Sequence, residues 1–287
     1  MEIPRIMKDE TIIFKMAEAI IKETVLYVSE NKLKSLVVGV SGGIDSALVS
    51  MLAREVCIRL GNRVKLIGRS LPITSKAEEV SRANDIGLSF CDDFETWDLN
   101  QLYLSALTSL YHTRPGEGMK NRIRFGNIKA RLRMIQLFHL AHEQEGMVLS
   151  TDNFTELLLG FWTLHGDVGN YGMIQNLWKT EVYLMAKKLI SIWGLSDQAV
   201  KAMQACIDAV PTDGLGITNS DLDQFGEEVK TYQDVDEMLY NYLYDEREMN
   251  NHLAENLPYV VKMFQNTMFK RNDPTNIPRR VIMQYCY

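Results

Sequence analysis

Ser35-Leu-Val-Val-Gly-Val-Ser-Gly-Gly-Ile-Asp-Ser46 is the stretch on which the fold turns. Its first six residues are a short β-branched run, the signature of a strand buried on both faces. From Ala47 to Leu60 the apolar spacing becomes helical, so Gly42 and Gly43 fall at a strand-to-helix turn. Two glycines there let the backbone approach an anion closely. Serine hydroxyls and the first N–H groups of the helix supply donors, and the helix dipole adds partial positive charge. The loop lacks the Lys-Ser/Thr ending with which a Walker A loop reaches the outer phosphates. It closes instead on Asp45-Ser46, and a carboxylate beside phosphates requires a divalent cation between them.

Outward from this unit, strands and helices alternate. Residues 9–30 carry Ile12, Ile13, Met16, Ile20 and Val25 at helical spacing. Val64–Gly68 reads as a second strand, 76–87 as a polar helix and Leu88–Phe90 as a short third strand. Helical spacing covers 98–112 and 121–144. Met147–Thr151 is a further strand, Asn153–Phe161 a helix, 163–178 a long glycine-bearing loop and 179–193 a helix. Residues 205–226 read as irregular, Asp234–Phe269 as helical, and 270–280 as a basic turn. The expectation is an α/β fold, a doubly wound, mostly parallel sheet with helices on both faces. With no linker, repeat or low-complexity segment in view, residues 1–287 are expected to form a single domain.

Composition narrows the class. The chain is 46% apolar and 24% charged, enough to bury a core. Its 31 basic and 37 acidic residues leave a formal charge of −6, which argues against a nucleic-acid or anionic-membrane partner. Cys57, Cys91, Cys206 and Cys286 form no CxxC pair, so a disulfide framework and a cysteine zinc site are not expected. No uncharged run reaches the ~20 residues of a membrane span. The charged start is not a signal peptide. A cytoplasmic protein is expected.

Ser41-Gly-Gly-Ile-Asp-Ser46 resembles the SGGxDS loop of the ATP-pyrophosphatase superfamily, whose members cleave ATP between its α and β phosphates to adenylate a substrate. Arg69–Pro72, Gly126–Met134, Ser150–Glu156, Gly160–Thr163, Gly166-Asp167, Lys179 and Pro211–Asp213 resemble, in order and nearly in spacing, the motifs of the NAD synthetases. The similarity runs from about residue 10 to 280. It implies an adenine nucleotide α-hydrolase-like, Rossmann-like fold and ATP-dependent amidation of deamido-NAD by ammonia. The products would be NAD, AMP and pyrophosphate, formed through an adenylated carboxylate.

By the same resemblance Asp45, Lys179 and Asp167 would be catalytic. Gly39, Ser41, Gly42, Gly43, Asp45, Ser46, Thr151, Lys179 and Thr212 would bind ATP. Tyr27, Asn127, Arg131, Phe138, Asp167 and Lys270 would bind the acceptor. Asp45 and Glu156 would hold Mg2+, and the enzyme would be a homodimer. Asn127 and Arg131 stand four apart, hence on one helix face.

The chain departs from the family's pattern at the acceptor end. Leu164 stands for a lysine, Asn170 or Tyr171 for an aspartate, Phe269 for a histidine and Phe138 for a tyrosine. These changes open a second reading, adenylation of a different carboxylate; a third is a nucleotide-binding protein without ligase activity. Retention of Asp45, Glu156, Lys179 and Thr212 opposes the third. His139 and His142 lie three apart with no third metal ligand in view. Neither a Gly-x-Ser-x-Gly elbow nor a glutaminase domain is evident, so free ammonia is the expected nitrogen source.

Overall fold

A computed structural model of the chain describes residues 3–110, 118–212, 220–226, 229–244 and 258–271. Five strands, β1 (Ser35–Gly39), β2 (Lys65–Ser70), β3 (Asp93–Thr96), β4 (Gly146–Ser150) and β5 (Tyr171–Gly172), form one sheet in the order β3-β2-β1-β4-β5. Every pair is parallel, with Gly39 opposite Arg69 and Val37 opposite Val148.

The β-branched run is explained by burial on both sides. Leu36 and Val38 join a core with helices α1 (Glu10–Glu30), α2 (Ile44–Arg59), α3 (Ala77–Phe90), α7 (Lys179–Ile192) and α8 (Asp197–Asp208). Val37, Ile67 and Val148 face the other way, against Leu140 and Ala141 of α5 (Met119–Glu143). Alternate residues of one strand thus bury on opposite layers, each large side chain contributing roughly 1.5–3 kcal/mol. The chain leaves β1 through α2 toward β2, whereas β4 pairs with the other flank of β1. A crevice therefore opens beyond the carboxyl ends of β1 and β4, where ligands bind in such sheets.

α4 (Asn100–Ser109) precedes α5, and α6 (Phe154–Leu159) follows β4. A second core joins α6 to α9 (Tyr232–Tyr244) and α10 (Tyr259–Asn266) through Phe154, Leu159, Trp178, Leu239 and Val260. A 3-10 turn (Asp221–Gln224) and α11 (Met268–Arg271) complete the described elements.

Three expectations are corrected. Leu88–Phe90 is the end of α3, because Ala83, Ile86 and Phe90 bury at helical spacing; the third strand lies beyond it at Asp93–Thr96. The 163–178 loop contains β5 at the sheet edge. Residues 205–208 belong to α8, whose Ala199, Ala202, Met203 and Cys206 form a buried stripe. Within the expected helical tail, residues 245–257 lie outside the described residues, as do 272–280 of the basic turn.

Candidate functional site

The turn between β1 and α2 is shaped as a cradle. Gly42 has φ +82°, and a Cβ there would stand 2.3 Å from the Glu79 carbonyl oxygen of α3, so only glycine fits. Gly43 is the N-cap of α2 and supplies no side-chain cap, which leaves the first N–H groups of the helix available to an anion. Ser41 Oγ and Ser46 Oγ lie 3.0 Å apart, Ser46 Oγ accepts from Ser41 N at 3.1 Å, and Arg82 Nε donates to the Gly42 carbonyl at 2.9 Å. Gly39 lies below, closely covered by Leu137 of α5. Thr212 reaches the same wall, with Oγ1 donating to Glu79 Oε1 at 3.2 Å. Thr151, half-buried, follows directly on β4.

Three helix N-termini meet beside the cradle. Asp45 lies in the first turn of α2, Glu156 in the first turn of α6, and Lys179 begins α7. The Lys179 ammonium contacts Asp45 Oδ2 and donates to Glu156 Oε1 at 2.9 Å. Asn153 ties the two acids together: its Nδ2 donates to Asp45 Oδ1 at 2.8 Å, while its Oδ1 accepts from Glu156 N at 3.0 Å. The Asn153–Glu156 pair is a capping box, a signal visible in the sequence although Asn153 carried no role there.

Burial, with the Asp45 charge added, pushes the Glu156 carboxyl up. Burial alone would lower Lys179, but Asp45 and Glu156 outweigh it and hold the ammonium well above its usual value. Asp152, paired with Ser150 Oγ at 2.5 Å, is pushed up to about 7 by burial. It is a second residue that sequence reasoning passed over.

Asp45 and Glu156 stand together on one ammonium, and the upward push on Glu156 marks a place where additional positive charge favours the ionised acid. A hard divalent cation such as Mg2+ suits oxygen ligands of this kind. Among the described residues no three His, Cys, Asp or Glu side chains converge on one point. Such an ion would therefore draw its remaining ligands from water or phosphate, as Mg2+ habitually does.

Most of the residues expected to bind the acceptor lie near one another, Tyr27 apart. Asp167 accepts from Thr163 N at 2.8 Å, and Thr163 Oγ1 donates to Asn127 Oδ1 at 2.9 Å. Arg131 donates to the Leu164 carbonyl at 3.0 Å, so the leucine contributes only its backbone to that contact. Lys270 reaches the carbonyls of Gly160 and Trp162, each at 2.5 Å. Phe138, Trp162, His165 and Lys270 line a cleft of about 490 Å³. Arg133, given no role in the sequence analysis, donates to the Leu71 carbonyl at 2.9 Å and lies within the electrostatic reach of both Asp167 and Glu79.

Tyr27 is placed elsewhere: on the exposed side of α1 it packs on Tyr171 of β5, ring centroids 4.7 Å apart. Asn170, where the resemblance leads one to look for an aspartate, accepts from Val148 N at 3.1 Å and serves the sheet edge. Phe269 is exposed. His139 and His142 are exposed on α5.

Comparison with known proteins identifies the family and the fold. The family model described as NAD synthase matches residues 15–274. The NH(3)-dependent NAD(+) synthetase of Finegoldia magna is 34% identical over 230 residues, covering 79% of this chain and 84% of that one. The solved NMN synthetase of Francisella tularensis has a TM-score of 0.71 at 22% identity, covering 93% of this chain and 98% of that one. The solved NH3-dependent NAD synthetase of Campylobacter jejuni has a TM-score of 0.65 at 22% identity, covering 94% and 98%. The chain belongs to the NAD synthase family.

Proposed function

We propose that this protein converts deamido-NAD to NAD in two chemical steps. A carboxylate is inert to ammonia because oxide cannot leave. Its attack on the α phosphorus of ATP releases pyrophosphate and turns the leaving group into AMP. Ammonia then displaces AMP to form the amide. The observation that carries the reading is that Asp45, in the first turn of the helix that the Ser41–Ser46 cradle opens, shares the Lys179 ammonium with Glu156.

In this scheme Ser41, Gly42, Gly43 and Ser46 grip the pyrophosphate end of ATP, with Gly39 beneath and Thr151 and Thr212 at the walls. Asp45 and Glu156 would hold Mg2+, which supplies neutralisation of the charge that builds on departing pyrophosphate. Lys179 brings a second positive charge to the same oxygens. Asn127, Arg131, Phe138 and Lys270 are assigned to the acceptor. Asp167 stands at that end between the fields of Arg133 and Lys270. We assign the chain one catalytic domain, a homodimeric state, a cytoplasmic setting and free ammonia as nitrogen donor. Among the described residues, no helix is long and apolar enough to cross a membrane.

A second reading keeps the adenylation and changes the acid. It is favoured by Asn170, which is engaged in the sheet edge, and by Leu164, which offers a carbonyl where the family has a cation. A substrate panel decides between them. With ATP, magnesium and ammonium present, deamido-NAD should drive AMP formation; AMP release only with another acid, such as the mononucleotide half of deamido-NAD, would favour the second.

A further inference from the structure

We propose that Lys179 is an internal counter-ion that keeps the metal site closed to a divalent cation until a nucleotide arrives. The inference rests on reading Asp45 and Glu156 as the metal ligands. The Lys179 side chain is 3% exposed, whereas those of Asp45 and Glu156 are each 16% exposed. The two acids are thus the more exposed members of the cluster, and the ammonium is buried against both. The Tyr232 ring lies 5.2 Å from Nζ, and Tyr183 also lies within its electrostatic reach.

The backbone of Lys179 is pinned independently of its side chain. Its N–H donates to Thr155 Oγ1 at 2.9 Å, and buried Asp236 accepts from Thr155 Oγ1 at 2.5 Å and from Thr180 N at 2.8 Å. Only the flexible stem can move. A divalent ion placed on Asp45 and Glu156 would lie within a few ångströms of this ammonium, in surroundings that screen charge poorly. The ion therefore binds weakly while the ammonium remains. The ammonium can give up two carboxylates only for another anion, and the cradle that α2 opens is where phosphate enters. Metal and nucleotide are then loaded together, and the free protein does not accumulate bound metal.

The test measures Mn2+ binding to the nucleotide-free protein by the loss of the free-ion paramagnetic resonance signal. Lys179→Met should bind at least about tenfold more tightly than wild type, as expected for removing a neighbouring like charge. That gain should vanish when Asp45→Asn is added. Lys179→Arg keeps the charge, so it should fold as the wild type does and bind Mn2+ within about twofold of it. It serves if the methionine variant fails to fold. Unchanged affinity in Lys179→Met, or a tenfold gain in Lys179→Arg, would overturn the gate. A parallel titration with a non-hydrolysable ATP analogue isolates the underlying assignment. Mn2+ retention that ignores Asp45→Asn in that state would remove the metal ligands themselves, and the gate with them.

Discussion

At the scale of single residues, the cradle distinguishes two adjacent glycines. Gly42 is fixed by φ +82° and by a backbone carbonyl where a Cβ would go. Gly43 has an extended φ of −91°, and its nearest obstacle is Ser41 Oγ at 3.4 Å. Gly42→Ala should cost at least about 2 kcal/mol of stability, read as a lower thermal midpoint. Gly43→Ala should melt within about 2 °C of wild type while weakening ATP binding, measured by calorimetry. Equal melting of the two variants would contradict the strain assigned to Gly42. Asp45→Ala should abolish magnesium-dependent pyrophosphate release in a coupled assay, and near-normal release would remove Asp45 from the site. These residues were legible because glycines, serines and an acid in one short loop carry their chemistry in their identities. Asn153, Asp152 and Arg133 were not, since their importance comes from partners brought together by the fold.

At the scale of elements, α7 shows how a helix start becomes a site. Glu181, 1% exposed, accepts from Met7 N at 2.7 Å and Trp178 N at 2.9 Å, and burial pushes it up to about 7 despite those bonds. An acid raised above its unfolded value of about 4.5 holds its proton longer in the folded chain. Its contribution to stability is complete below that value and falls as pH rises toward 7, by up to about 1.4 kcal/mol per pH unit. Denaturant titrations of wild type and Glu181→Gln should therefore lie close together near pH 5 and draw apart toward pH 7, with wild type losing stability that the non-titrating amide keeps. Parallel curves would contradict the assignment.

The long strands and helices were readable because their apolar periods are sustained. β3 was misplaced by two strand-like apolar residues, Leu88 and Phe90, at the end of α3, whereas Asp93-Phe-Glu-Thr96 has a single apolar side chain. α8 was passed over because alanine and cysteine make a faint stripe. β5, two residues long, has no period to read.

At the scale of the molecule, α1 presents Ile12, Leu26 and Tyr27 to solvent, and the Tyr27 ring lies tilted against Tyr171 of β5. Surfaces of this kind often mark an interface. Light scattering should give twice the chain mass of 32.9 kDa, and Tyr27→Glu should shift the population toward one chain. A monomeric wild type would contradict the proposed assembly.

The central claim is that the cradle presents the innermost phosphorus of ATP, not the outermost, to a carboxylate. The most direct measurement follows phosphorus resonance in a mixture of protein, ATP, magnesium, ammonium and deamido-NAD. The account predicts AMP and pyrophosphate in equal amounts with NAD; ADP and orthophosphate in their place would contradict it.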